Sequence, residues 1–279
     1  MIDESQISIE LEQIRAAAVG NQRAEVYAAA LASLDLTTLS PCDTERSVRE
    51  FAERAVSFYT DYPDVANVAS LCVYPPFVEC VGLVVDGTPM RITSVAGGFP
   101  SSQTFLEVKA LEVAMAIESG ADEIDVVIPV GEVVDGDYER AASEIALLRE
   151  EATDATLKVI IESGELRTPQ LIYDASMIAM EAGADFVKTS TGKTPVAATP
   201  EAVVVMCHAI LDHYEQTGER VGIKVAGGVR SAEDAALYYT IVEQILGAEW
   251  LNPDYFRIGA SAAANVLLSA IVGREVSYF

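Results

Sequence analysis

Basic residues are few in this chain: 18 against 43 acidic ones, a formal charge of −25 over 279 residues. Such a surface repels the phosphates of nucleic acid and the headgroups of an anionic membrane, so neither is expected as a partner. An anionic small substrate must then meet a local positive patch. Cysteine is as sparse. Cys42, Cys72, Cys80 and Cys207 form no Cys-x-x-Cys and no cluster, which argues against a disulfide framework or a zinc site and fits reduced thiols in the cytoplasm. The two histidines, His208 and His213, are five apart and so miss the i, i+4 spacing of a zinc-binding helix. No metal is expected. Gly-x-Ser-x-Gly, a P-loop and a dinucleotide fingerprint are all absent, so no organic cofactor is expected either. No uncharged apolar run reaches the ~18 residues of a membrane span. The start, Met-Ile-Asp-Glu-Ser, lacks the basic-then-apolar layout of a signal peptide. A soluble, cytoplasmic protein is the expectation.

What the chain does have is hydrophobic residues, 51% of the total, without low-complexity segments. That is enough for a substantial core. From residue 34 onward, short β-branched apolar runs alternate with longer helical patterns. The expected strands are Leu34–Leu39, Val68–Tyr74, Arg91–Ala96, Glu123–Pro129, Leu157–Glu162, Phe186–Thr189, Gly222–Ala226 and Phe256–Gly259. Helical periodicity marks segments such as Thr104–Glu118, Asp137–Glu151, Pro169–Ala182, Pro200–Tyr214 and Ala232–Leu246. The strand runs are nearly all apolar rather than alternating, as parallel strands covered on both faces should be. Eight of them in about 245 residues predict a (β/α)8 TIM barrel over residues 34–279. A doubly wound open sheet is the alternative, but no glycine fingerprint follows an early strand. Residues 1–33, rich in Ala, Leu and Glu, read as a helical N-terminal extension compatible with a homodimer.

Lysine is the scarcest basic residue, with 5 against 13 arginines, and three of the five lie in two short motifs. Lys188 and Lys193 belong to Asp185-Phe-Val-Lys-Thr-Ser-Thr-Gly-Lys193, and Lys224 to Val221-Gly-Ile-Lys-Val-Ala-Gly-Gly-Val-Arg230. Arginine balances charge and holds phosphate but cannot form an imine, whereas a deprotonated lysine attacks a carbonyl. Barrel active sites form at the C-terminal ends of the strands, where Asp35, Asp125, Glu162, Lys188 and Lys224 break the apolar runs. The 36 residues between Lys188 and Lys224 are about one strand–helix repeat, which places them on neighbouring strands at similar height. Two ammonium groups ~5 Å apart at an effective dielectric near 20 repel by roughly 3 kcal/mol, about 2 pKa units, and burial acts in the same direction.

Asp125 lies within Glu123-Ile-Asp-Val-Val-Ile128 and points into the barrel if Ile124 and Val126 face the helices. A buried acid needs a cation, so Lys224 or Lys188 is its expected partner. Asp35 precedes Leu-Thr-Thr and reads equally as a turn or cap residue. Two glycine turns follow the last strands. Gly227-Gly228 comes after the seventh, and Gly259-Ala-Ser261 after the eighth, the recurrent phosphate position of this fold. Gly192-Lys193 adds an amide and a charge.

These residues resemble the deoxyribose-phosphate aldolase family of class I aldolases. The match runs from Asp35-Leu-Thr-Thr-Leu39 through Cys72-Val-Tyr-Pro75, Gly98-Phe-Pro100, Gly120-Ala-Asp-Glu-Ile-Asp-Val-Val127 and Leu157-Lys-Val-Ile-Ile-Glu-Ser-Gly-Glu-Leu166. It continues through the Lys188 motif, Gly222-Ile-Lys224, Ala226-Gly-Gly-Val-Arg230 and Arg257-Ile-Gly-Ala-Ser261. The resemblance implies that Lys188 carries the imine, Lys224 tunes its pKa and Asp125 joins Lys224 in proton transfer. It also implies reversible cleavage of 2-deoxy-D-ribose 5-phosphate to acetaldehyde and D-glyceraldehyde 3-phosphate, without metal or cofactor. The chain departs from the family at Val225, often proline, and at Ala262, often serine. It ends Tyr278-Phe279 rather than in the tyrosine that reaches the active site in many members. An isomerase or an aldolase with another donor, and a non-catalytic sugar-phosphate binder, are the other readings of the same residues.

Overall fold

A computed structural model describes residues 2–279; Met1, the first residue of the expected extension, lies outside the described residues. Two helices, α1 (Glu4–Ala18) and α2 (Ala24–Ala32), precede the first strand. Then follow β1 (Leu34–Thr37), α3 (Glu45–Asp61), β2 (Ser70–Val73), α4 (Val78–Val85), β3 (Arg91–Val95), α5 (Leu106–Glu118) and β4 (Glu123–Val127). The chain continues with α6 (Val130–Asp135), α7 (Tyr138–Glu151), β5 (Thr156–Ile160), α8 (Pro169–Glu181), β6 (Phe186–Lys188) and α9 (Pro200–Thr217). Last come β7 (Gly222–Ala226), α10 (Ala232–Ile245), β8 (Phe256–Ala260) and α11 (Ala263–Val272).

All strand pairs are parallel and follow chain order, with β1 closing onto β8, so the sheet is the expected (β/α)8 barrel. Helix starts follow from side-chain caps that satisfy the free amides of the first turn. Thr168 and Thr199 cap α8 and α9, each followed by proline at the first helical position, and Ser231 forms a capping box with Asp234 on α10. Most observed strands stop one or two residues before the apolar runs do. Leu39, Ala96 and Ile161 lie past the ends of β1, β3 and β5 yet are buried, because chain leaving the top of the barrel still packs under the loops.

The apolar core lies between sheet and helices. Leu34, Leu36, Ile124, Val126, Val159, Ile223, Val225 and Ile258 are fully or almost fully buried in it, and each contributes roughly 1.5–3 kcal/mol. The barrel interior usually holds layers of branched aliphatic side chains. Here Asp35, Glu123, Asp125, Lys158, Lys188, Lys224 and Arg257 are buried in one connected set of ion pairs. The helix-facing layer therefore carries the hydrophobic stabilisation, which leaves the interior free for polar chemistry.

Candidate active site

Strand alternation sends every second side chain of β4 and β5 inward. Asp125 and Glu123 face the interior from β4, and Lys158 from β5. Lys188 and Lys224 are direct partners across β6 and β7. The sequence expectation thus meets the structure at these two lysines, but they do not face each other bare. Asp125 Oδ2 stands between them, 2.7 Å from Lys188 Nζ and 2.7 Å from Lys224 Nζ. Asp35 meets Lys224 at 2.5 Å and also binds Arg257, so it is part of the interior network rather than a turn or cap residue.

Three members of the network were not singled out from the sequence. Lys158 contacts Glu123 at 2.6 Å, Asp125 at 3.0 Å and Asp35 at 3.7 Å. Arg257 contacts Asp35 and, at 2.7 Å, Glu123. A signal existed for each. Glu123 is two residues from Asp125 and shares its face. Lys158 and Arg257 each interrupt an apolar run at an inward position.

The electrostatics separate the lysines. Lys224 loses hydration on burial, which lowers its pKa, but Asp125 and Asp35 outweigh that and raise it. For Lys188 burial is the largest effect; the Lys224 charge adds to it, Asp125 opposes both, and the net direction is downward. Burial, more than the lysine pair, is therefore what loosens the Lys188 proton. Burial alone would raise Asp125, but Lys158, Lys188 and Lys224 hold it well below the usual carboxylate range. Lys158 and Arg257 hold Glu123 down to about 2 despite its burial.

Above this layer a cavity of about 490 Å³ opens at the C-terminal ends of the strands. Lys188 forms its floor. Gly192, Lys193, Gly227, Gly259 and Ser261 are on its wall with Thr37, Thr38 and Thr191. Gly228 is not: a Cβ there would stand 2.9 Å from the carbonyl oxygen of Ala198, which is not part of the cavity wall either. The Lys193 amine donates to the Leu39 carbonyl at 2.5 Å, bridging the loops after β6 and β1. Gly259 packs closely on the network, since a Cβ there would stand 3.2 Å from Lys224 Cε and 3.1 Å from Ala226 Cβ and would press on the Lys224 side chain. Tyr278 lies elsewhere. Its hydroxyl donates to Asp61 at the end of α3, and the tail is tied to Asn265 of α11. His208 pairs with Glu10 at 2.8 Å, and His213 is buried in α9. Among the described residues no group of three or more His, Cys, Asp or Glu side chains could hold a metal.

An amine with a lowered pKa at the floor of a barrel-top cavity is the arrangement of an imine-forming lyase. Comparison with known proteins agrees. The DeoC/LacD family aldolase profile matches residues 32–268. The deoxyribose-phosphate aldolase of Homo sapiens is 43% identical over 263 residues, covering 89% of this chain and 83% of that enzyme. That of Bos taurus is 42% identical over 242 residues, covering 83% and 76%. Among solved structures, the tetrameric deoxyribose phosphate aldolase of Aeropyrum pernix superimposes with a TM-score of 0.69 at 27% identity, covering 93% of this chain and 96% of that one. The chain belongs to the DeoC/LacD aldolase family.

Proposed function

We propose that this chain reversibly cleaves 2-deoxy-D-ribose 5-phosphate to acetaldehyde and D-glyceraldehyde 3-phosphate through an imine on Lys188. The neutral Lys188 amine attacks the C1 carbonyl of the open-chain sugar, and loss of water with uptake of one proton gives the protonated imine. The C3 hydroxyl then gives up its proton, the C2–C3 bond breaks, and its electron pair moves into the imine as an enamine. Glyceraldehyde phosphate leaves. Protonation of the enamine carbon and hydrolysis release acetaldehyde and restore the amine. Asp125 and Lys224 pass the protons through water, with Asp35 holding Lys224 in place. Gly192, Lys193, Gly227, Gly228, Gly259 and Ser261 are assigned to the phosphate, with Gly228 acting through the shape of its turn.

The charge balance of the barrel interior carries the assignment of Lys188. Lys158, Lys188, Lys224 and Arg257 are four buried cations facing three buried carboxylates, Asp35, Glu123 and Asp125, while the half-exposed Arg91 that reaches Glu123 at 3.2 Å is balanced by Asp254 at 2.6 Å. The cluster is neutral when one amine is unprotonated. Lys188 meets Asp125 alone, whereas Lys224 and Lys158 each have further carboxylates, so Lys188 is the amine that yields its proton at least cost.

Residues 1–33 are proposed as an extension of the aldolase domain at 34–279, and the protein as a homodimer in the cytoplasm. Light scattering weighs the dimer. The chemistry is tested by borohydride reduction in the presence of acetaldehyde, followed by peptide mass mapping. An N-ethyl group on Lys188 is expected. An active enzyme with unmodified Lys188 refutes the mechanism. Release of acetaldehyde from deoxyribose phosphate, followed with a coupled reductase, separates this activity from an isomerase or an aldolase with another donor.

A further inference from the structure

Glu162 is 3% exposed and has φ +52°, a backbone region that residues with a Cβ rarely adopt. Such a conformation persists only where its surroundings fix it, often at a ligand clamp. Just past the end of β5, this turn sends the carboxylate sideways to the loop that follows β6. Oε2 accepts from Thr191 Oγ1 at 2.5 Å; Oε1 accepts from Thr191 N at 3.2 Å and lies 3.3 Å from Thr194 Oγ1. Among the described residues no lysine or arginine forms an ion pair with it. Its charge is therefore spent on this loop. Thr191 Oγ1 gives its proton to Glu162 and in turn accepts the Lys193 amide at 3.0 Å, which fixes the turn Thr191-Gly192-Lys193 on the cavity wall. Behind it the two loops touch backbone to backbone: a Cβ on Gly164 would stand 2.2 Å from the Val196 carbonyl oxygen.

We infer that Glu162 is a positioning residue for the phosphate end of the substrate. It clamps the 191–193 turn so that the Gly192 backbone amide meets a sugar phosphate in one fixed geometry. This rests on the sugar-phosphate reading above. The carboxylate touches no substrate atom; it acts through Thr191.

The test compares Glu162→Gln and Glu162→Gly with the native protein on 2-deoxyribose 5-phosphate and on unphosphorylated 2-deoxyribose. Glycine accepts the left-handed backbone without strain, so losses in that variant are not a folding effect, and its melting temperature checks this. In both variants KM for the phosphate ester is expected to rise ~10- to 100-fold, with kcat changing much less, as for loss of a charge-assisted contact that orients a ligand group. The preference for the phosphorylated sugar falls with it. An equal loss on both sugars, or KM for the phosphate ester within twofold of native in both variants, overturns the inference. Calorimetric titration with inorganic phosphate needs no turnover. Weakened binding in the variants supports the inference and unchanged binding refutes it, even if the native protein cleaves no deoxyribose phosphate, an outcome that refutes only the substrate assignment.

Discussion

Lys188 and Lys224 are cross-strand partners, and a single oxygen of Asp125 lies 2.7 Å from each amine. Two cations compete for one carboxylate oxygen. Asp35 adds a second anion on the Lys224 side only, so the proton stays on Lys224 and leaves Lys188.

Substituting Lys224→Leu should therefore do more than delete a proton carrier. Without the second cation, Asp125 binds the Lys188 ammonium undivided, and the Lys188 pKa rises. Activity at neutral pH is expected to fall on the order of 100-fold or more, the range of a lost acid–base group. The acidic limb of the kcat/KM profile should move to higher pH. Rates measured from pH 6 to 10 check both, and near-normal turnover at neutral pH refutes the role given to Lys224.

Lys158 offers a different prediction, because its amine touches three carboxylates and does not line the cavity. Lys158→Met leaves buried acids short of a cation, a change that costs roughly 3–5 kcal/mol in comparable sites. Denaturant unfolding should show that loss. If stability changes by less than about 1 kcal/mol, the network does not hold the barrel interior together in the way the ion pairs suggest.

These two cases mark how far the sequence could be read. The barrel was legible because parallel strands buried on both faces leave mostly apolar runs, broken by charge only at inward positions and strand ends, and because one strand–helix repeat separates Lys188 from Lys224. Asp125 was legible by alternation against Ile124 and Val126. Lys158, Glu123 and Arg257 were not read as one group with it, because pairing inside a barrel depends on the stagger between strands. Asp125 lies beside Lys158 in the β4–β5 register, and Lys224 beside Arg257 in that of β7–β8. No single strand carries that information. Nor does it show that the Lys193 amine is taken up by the Leu39 carbonyl, a contact between residues 154 positions apart.

Acid should unfold this protein through its interior. Asp35, Glu123 and Asp125 all have lowered pKa values in the folded state, so each adds stability above its unfolded pKa near 4 that is lost as pH falls. For Glu123, held at about 2 against an ordinary 4.5, the contribution is roughly 3 kcal/mol, lost between about pH 4.5 and 2. Unfolding free energies measured from pH 7 to 3 should decline below about pH 5. Glu123→Gln should be less stable at neutral pH and show a shallower decline; the same slope as the native protein refutes the assignment.

The C-terminal tail should prove structural. Tyr278 donates to Asp61 at 2.7 Å and packs edge-on against Phe58 and Tyr62, while Phe279 lies 5.1 Å from the Phe58 ring. Asp61 closes α3, which runs back from the top of β1 to the opposite end of the barrel, away from Lys188. Tyr278→Phe removes one hydrogen bond and is expected to lower stability by about 0.5–1.5 kcal/mol. Its kcat should stay within about twofold of native, a change below 0.5 kcal/mol in barrier. A large loss of kcat with unchanged stability places the tyrosine in the catalytic cycle.

Salt dependence follows from the charge of −25. Exposed acids repel one another across the surface, and that repulsion extends ~30 Å at 0.01 M salt but only ~3 Å at 1 M. The attractive pairs are placed differently. Those among Asp35, Glu123, Asp125, Lys158, Lys224 and Arg257 are buried, and salt screens them little. Surface pairs such as Arg49 with Glu45 contribute little to begin with, so screening them costs little. Salt thus removes the unfavourable interactions and spares the favourable ones. The melting temperature is expected to climb with potassium chloride from 0.05 M into the molar range, as a lysine-poor, acid-rich surface adapted to salt should. An acidic protein without that adaptation would level off near ~0.2 M, once simple repulsion is screened. Thermal melts up to about 3 M potassium chloride separate the two, because a plateau at the low end removes the adaptation and leaves the aldolase chemistry untouched.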